Sequence, residues 1–250
     1  MPVLGVIPAR LGSTRLPRKP MQPLGGVPLV VRVAERVQGL GCMDTLVVAT
    51  DSPEIAQVTE RAGFRAILTA GTHETGTERV AEVAGRPEFR GFDIIVNVQG
   101  DEPFVPLAAV TGAIARAQGN DDVGSAAAPL DAADAADPAR VKVVCDASGR
   151  ALYFSRAPIP FVRDPGDRRE GLYWQHLGVY ACRRTALARW VSLRPTALET
   201  AERLEQLRAL AHGITFGIAF LDAPVLPGID TPDDLRRAEA YWQHSQGVTT

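Results

Sequence analysis

Apolar positions follow two alternating patterns along this chain. Short unbroken runs, Val3 to Ile7, Leu46 to Ala49, Ala66 to Leu68, Ile94 to Val98 and Val123 to Ala128, read as strands. Between them lie stretches with helical spacing. Pro28 to Gln38 carries proline in its first turn; Ser52 to Ala62 is capped by Ser52, continues through Pro53 and stops at Gly63; Thr77 to Val83 places Arg79 in its first turn. Unbroken rather than alternating apolarity, as in Ile94-Ile95-Val96, marks strands covered on both faces. The order of strand, helix and strand therefore predicts an α/β fold with a doubly wound, mostly parallel sheet and right-handed crossovers.

After about residue 130 the rhythm changes. Arg140 to Cys145 and Ala151 to Ser155 read as a hairpin around Ser148-Gly149, followed by a loop rich in proline and charge from Pro158 to Glu170. Gly178 to Cys182 reads as a strand, Leu198 to Leu210 as a helix, Ile214 to Phe220 as a strand and Pro232 to Trp242 as a final helix. The simplest organisation is one domain over 1–250 with an inserted small lobe at about 140–183. No internal repeat is present.

Composition narrows the function. With 250 residues, 46% hydrophobic, and a net charge of -2 from interspersed cations and anions, the chain buries a large core and has no basic face for nucleic acid. No apolar run reaches the ~20 residues of a membrane helix, and the amino terminus lacks a signal-peptide pattern, so a cytoplasmic location is expected. Cys42, Cys145 and Cys182 are widely spaced in apolar settings and fit reduced core thiols; the four histidines show no zinc-ligand spacing.

Against this neutral background one loop stands out. The first strand runs into Arg10-Leu11-Gly12-Ser13-Thr14-Arg15-Leu16-Pro17-Arg18-Lys19-Pro20, and no Asp or Glu precedes Glu35. Four cations with glycine and hydroxyls make a positive loop suited to a polyphosphate. Neither the P-loop pattern nor G-x-G-x-x-G occurs, which removes the usual nucleotide motifs. In such sheets ligands lie beyond the carboxyl ends of the strands. Pro8-Ala9-Arg10, Thr50-Asp51 and Asn97-Val98-Gln99-Gly100-Asp101-Glu102-Pro103 all follow strands and converge on that rim. Asp101, with Gly100 giving a phosphate room to approach and Pro103 fixing the turn, suits Mg2+ beside nucleotide phosphates. Asp230 precedes the N-cap Thr231, with Pro232 first in the helix and Asp233 and Asp234 in its first turn, and is a second candidate ligand. The polar loop Gly71 to Arg79 can read a base while Arg79 reaches phosphate. His176 and Tyr180 share a strand face by spacing, and with Arg156 they can surround a carboxylated, hydroxyl-rich substrate, although a satisfied core histidine is the more frequent case. Glu205 and Gln206 by position alone fit exposed helix sites as well as sugar-hydroxyl ligands.

Taken together these stretches resemble the 3-deoxy-manno-octulosonate cytidylyltransferases, or CMP-Kdo synthetases, from about Val3 to Ala238. The similarity lies in Ile7 to Arg10 with Ser13 to Pro17 and Lys19-Pro20, Val48 to Asp51, Gly76 to Arg79, Val96 to Pro103, Leu152 to Arg156, His176 to Tyr180, Leu204 to Arg208, and Asp230 to Pro232 with Asp234-Leu235. The resemblance implies a Rossmann-like nucleotidyltransferase fold. It implies that Ala9, Arg10, Ser13, Arg15, Lys19, Thr77 and Arg79 bind CTP, that Lys19, Asp101 and Asp230 are catalytic, and that Asp101 and Asp230 ligate Mg2+. Gln99, Arg156, His176, Tyr180, Glu205 and Gln206 would bind the acid sugar Kdo. The implied reaction forms CMP-Kdo and pyrophosphate for lipopolysaccharide synthesis, in a homodimer joined through the inserted lobe. The chain departs from the family pattern in a shorter loop between Arg163 and Tyr173, in Ala197, and in Leu226-Pro227-Gly228. These touch the sugar side, where an amino-substituted octulosonate or sialic acid is the alternative substrate. A glycosyltransferase and a non-catalytic nucleotide-sugar sensor are the rivals from other classes.

Overall fold

The computed structural model describes residues 1–13, 15–164 and 166–247; Thr14 of the cationic loop, Pro165 of the loop after Pro158, and residues 248–250 lie outside the described residues. Among the described residues the elements are, in chain order, β1 Val3–Ala9, β2 Pro23–Leu24, β3 Val27–Pro28, α1 Leu29–Gly39, β4 Thr45–Thr50, α2 Pro53–Arg61, β5 Arg65–Leu68, α3 Gly76–Gly85, β6 Ile94–Val98, α4 Leu107–Gln118, β7 Val123–Leu130, β8 Lys142–Cys145, β9 Ala151–Ser155, β10 Tyr173–Arg183, α5 Arg184–Ser192, α6 Ala197–Glu202, α7 Gln206–Ala211, β11 Phe216–Phe220 and α8 Pro232–Gly247. None of these helices is long and apolar enough to cross a membrane.

The chain divides into two compact units, one holding residues 2–92, 97–105 and 226–250, the other Met1, 93–96 and 106–225. In the first unit β4 lies between β1 and β5, parallel to both, with Ile7 opposite Val48 and Val48 opposite Ala66. Leu4, Val6, Ile7, Val47 and Val48 are fully buried, so these strands are covered on both faces, as their unbroken apolarity requires. Ser52 caps α2 by accepting from the Ile55 amide at 3.4 Å. Pro28 differs from expectation: it ends β3 and serves as the extended N-cap of α1 rather than standing in its first turn. The two-residue strand β3 pairs with Pro23–Leu24, and that pairing holds Pro28 out of the helix.

In the second unit β7 lies between β11 and β10, parallel to the first and antiparallel to the second. The β8–β9 hairpin forms as predicted, with Gly149 at φ 78 in its turn. Strand β10 begins five residues earlier than the sequence pattern suggests, and its pairing shifts between Leu177 and Ala181. The fold is thus the expected α/β class, with antiparallel strands added to a mostly parallel sheet. Phe154, His176, Tyr180, Trp190 and Phe216 form an aromatic core by edge-to-face and tilted contacts.

Two helices depart from the sequence pattern. The helix expected over Leu198 to Leu210 is broken at Arg203, which is left-handed with φ 54, giving separate α6 and α7. The break has a use: the Arg203 carbonyl accepts from Arg156 Nη2 at 3.3 Å and the Glu202 carbonyl from Arg156 Nε at 2.7 Å. Helix α4, which the sequence pattern does not predict, is rich in alanine and gives weak apolar contrast. It lies so close to β7 that a Cβ on Gly124 would stand 1.8 Å from the Ala113 carbonyl oxygen.

Candidate active site

The segment after β6 and the segment before α8 bring two carboxylates onto the cationic loop. The loop is held by local bonds: Ser13 Oγ accepts from the Leu16 amide at 3.4 Å, Leu16 is buried, and Gln22 donates to the Pro17 carbonyl at 2.7 Å. Arg18, in the left-handed region at φ 54, turns the chain into a short 3-10 turn that begins with Lys19. The Lys19 ammonium donates to Asp101 Oδ2 at 2.5 Å and to Asp230 Oδ1 at 3.0 Å. Arg15 reaches the other oxygen of Asp230 at 3.0 Å.

The carboxylates are placed by backbone. Asp101 follows β6, and its carbonyl accepts from the Ile229 amide at 2.9 Å, which fixes the residue before Asp230. Asp230 precedes a capping box, in which Thr231 Oγ1 accepts from the Asp234 amide and Asp234 Oδ2 accepts from the Thr231 amide. Asp234 also accepts from the Asp230 amide at 3.2 Å, so its role is to shape the turn that presents Asp230. Gly100 has a different reason from the one expected. A Cβ there would stand 2.8 Å from the Pro8 carbonyl oxygen, so the glycine lets two backbone segments close up and need not make room for a ligand.

Lys19 is largely shielded from solvent. Burial alone works to lower its pKa, but the attraction of Asp101 and Asp230 outweighs this and holds it above the ordinary lysine value. It is therefore a permanent cation between two carboxylates. Among the described residues no three His, Cys, Asp or Glu side chains are grouped so that they could hold a metal ion by themselves. The carboxylate pair fits a hard cation that takes its remaining oxygen ligands from a bound phosphate and water.

Other candidates for nucleotide binding lie in the same unit. Arg10 donates to the Glu74 carbonyl at 3.3 Å from an exposed position. Thr77 is buried in the first turn of α3, which starts at a Thr75–Glu78 capping box. Arg79 is only 2% exposed and turns inward, onto Asp51 at 2.9 Å, Thr69 Oγ1 and the Ala70 carbonyl. It ties the Thr69-Ala70 segment to the end of β4. Ala9 is the last residue of β1.

Of the sugar-side candidates, Gln99 follows β6 in the first unit, its carbonyl accepting from the Glu102 amide, and Arg156, His176, Tyr180, Glu205 and Gln206 lie in the second unit. His176 and Tyr180 do meet, their rings 5.4 Å apart. His176 Nε2 is 2.8 Å from Ser125 Oγ, and burial lowers its pKa to about 3, so the ring is a neutral hydrogen-bonding group at ordinary pH. Burial also holds the Tyr180 phenol well above its usual value. Gln206 is buried at the start of α7, just after Glu205. Arg156 is locked on three carbonyls, of Glu202, Pro138 and Arg203.

Sequence reasoning missed the group beneath Arg156. Lys142, wholly buried, donates to the carbonyls of Asp137 at 3.0 Å and of Arg140 and Arg156 at 2.6 Å each. Glu202 adds bonds from Ser155 Oγ and the Arg156 amide. The signal was a lone lysine inside the apolar stretch Val141-Lys142-Val143-Val144.

A cationic loop facing a strand-end carboxylate and a helix-cap carboxylate through a shared ammonium suits the transfer of a nucleotidyl group, the chemistry of a nucleotidyltransferase. The chain belongs to the cytidylyltransferase family, whose model matches residues 4–216. It is 54% identical over 245 residues to a 3-deoxy-manno-octulosonate cytidylyltransferase of Gemmatimonas aurantiaca, covering 97% of this chain and 95% of that one. A protein of the same name from Polynucleobacter necessarius subsp. necessarius is 48% identical, with 94% and 93% covered. Among solved structures, a CMP:2-keto-3-deoxy-manno-octonic acid synthetase complexed with CTP superposes with a TM-score of 0.89 at 37% identity, over 98% of this chain and 100% of that one. A 4-diphosphocytidyl-2C-methyl-D-erythritol synthase from Anaerococcus prevotii, at 13% identity and a TM-score of 0.60 over 97% of this chain and 98% of that one, shares the fold.

Proposed function

We propose that this chain transfers CMP from CTP to the anomeric hydroxyl of 3-deoxy-D-manno-octulosonate, with Mg2+, releasing pyrophosphate and forming CMP-Kdo for lipopolysaccharide synthesis. The observation that carries the reaction class is the Lys19 ammonium shared by Asp101 and Asp230 beside an acid-free cationic loop. The choice of sugar is supported by the two relatives of that name at 54% and 48% identity.

In this reading Arg10, Ser13, Arg15 and Lys19 hold the triphosphate, with Ala9, Thr77 and Arg79 completing the nucleotide site. Asp101 and Asp230 would hold Mg2+. The chemistry a bound Mg2+ supplies is withdrawal of charge from the phosphate under attack and easier loss of the sugar hydroxyl proton. The anomeric oxygen attacks the α-phosphorus in line, the bond from that phosphorus to the bridging oxygen breaks, and the hydroxyl proton passes to solvent. Lys19 and Arg15 stabilise the negative charge that gathers on the leaving pyrophosphate. Gln99, Arg156, His176, Tyr180, Glu205 and Gln206 orient the sugar. No protein nucleophile is required, because holding two reactants in line supplies much of the acceleration.

The reading extends to a cytoplasmic homodimer. Leu152 and Phe161, 61% and 85% exposed in the region expected to form the interface, support a second copy there.

The test is pyrophosphate release with Mg2+ across CTP, UTP, ATP and GTP, with the octulosonate, with N-acetylneuraminate and without sugar. The expected result is release with CTP and the octulosonate alone. Release with CTP and only another acid sugar would move the error to the sugar residues, and CTP binding without turnover on any sugar would leave a sensor.

A further inference from the structure

We infer that the Lys19 ammonium occupies the place of a divalent cation between Asp101 and Asp230, and moves onto phosphate oxygens when a cation and nucleotide arrive together. The inference rests on the reading of these two aspartates as the metal pair. Two carboxylates held to one nitrogen, at 2.5 and 3.0 Å, repel each other unless a cation lies between them. Lys19 supplies that charge to both. Arg15 bonds Asp230 and is 56% exposed, so solvent screens its contribution.

A free divalent cation must therefore displace an ammonium whose two carboxylate partners are the pair itself. The loop holds no acidic residue, and none occurs in the chain before Glu35. A triphosphate changes that balance: its oxygens accept Lys19, whose four-carbon stem lets the charge swing while the backbone stays in its turn. The cation then takes the vacated carboxylates. Lys19 thus keeps the metal pair closed to cations alone and opens it to a cation with its nucleotide.

The test measures Mn2+ binding by electron paramagnetic resonance and calorimetry, with and without CTP. The proteins are the wild type, Lys19→Met, Lys19→Gln and Lys19→Arg. Without CTP, the two neutral variants should bind Mn2+ about tenfold more tightly than wild type, and Lys19→Arg should match wild type. The tightening of Mn2+ by CTP should shrink in the neutral variants. Thermal unfolding gives a second readout, with Mn2+ raising the midpoint of Lys19→Met more than that of wild type. Neutral variants that bind Mn2+ no better than wild type would overturn the inference. Asp101→Asn and Asp230→Asn separate the two levels: loss of Mn2+ binding in both, with unchanged Lys19 variants, overturns the exchange alone. Undiminished binding in both removes the metal pair, and the exchange with it.

Discussion

Asp101 joins two roles at the scale of a single residue: its carboxylate accepts from Lys19 and its carbonyl accepts from the Ile229 amide beside Asp230. Asp101→Asn keeps the shape and removes the charge. Turnover, measured as Mg2+-dependent pyrophosphate release, should fall on the order of 100-fold or more. His176 makes a separate prediction. Its pKa is about 3 in the folded protein and 6.5 as the ordinary value, so between these pH values the unfolded chain binds the additional proton. Folding stability should therefore fall as pH drops from about 6.5 toward 3, and His176→Gln should flatten that part of the dependence in denaturant unfolding at a series of pH values. Asp101 and Asp230 were legible in the sequence because strand ends and helix caps are written in neighbouring residues. The inward turn of Arg79 was not, because its partner Asp51 lies 28 positions away and nothing local announces the pairing. Lys142 was hidden for a related reason: its acceptors are backbone carbonyls, which carry no residue signature.

Elements tell a similar story with different causes. Strands β1, β4 and β6 were readable because unbroken apolarity over five or so residues marks a strand buried on both faces, and α2 because a Ser-Pro pair both caps and opens a helix. Helix α4 was not, since alanine marks no face, and α6 and α7 were fused because the left-handed Arg203 bonds a residue 47 positions away, which no local pattern announces. The tight seat of α4 on β7 gives its own prediction. In Gly124→Ala the new methyl group meets the backbone of Ala113 rather than a movable side chain, so the helix must shift. A loss of about 3 kcal/mol in urea unfolding is expected. Gly26, where a Cβ meets nothing within 4 Å, makes a contrast limited to its positive φ.

For the whole molecule the α/β class was legible, while the pieces of chain that each compact unit gathers were not. The first unit is built from three separate pieces of chain, 2–92, 97–105 and 226–250, a closure that only long-range packing decides. Every candidate ligand for the nucleotide lies in that unit, so nucleotide should stabilise it. At a hundred times its dissociation constant, CTP with Mg2+ should add about 2.7 kcal/mol. A rise in the unfolding midpoint on the order of 5–10 °C follows, with smaller rises for GTP and ATP by scanning calorimetry.

Trp242 turns this arrangement into an instrument. Its ring lies 4.2 Å from the Arg32 guanidinium and against Gly25, whose missing side chain leaves room for the indole. It rides on α8, the helix whose first turn presents Asp230, whereas the other two tryptophans, Trp174 and Trp190, belong to the second unit. The molecule thus carries a fluorophore on the helix that follows Asp230. With Trp174 and Trp190 replaced by phenylalanine, its emission becomes an optical record of events at the opposite end of that helix, readable in a stopped-flow instrument without any attached dye.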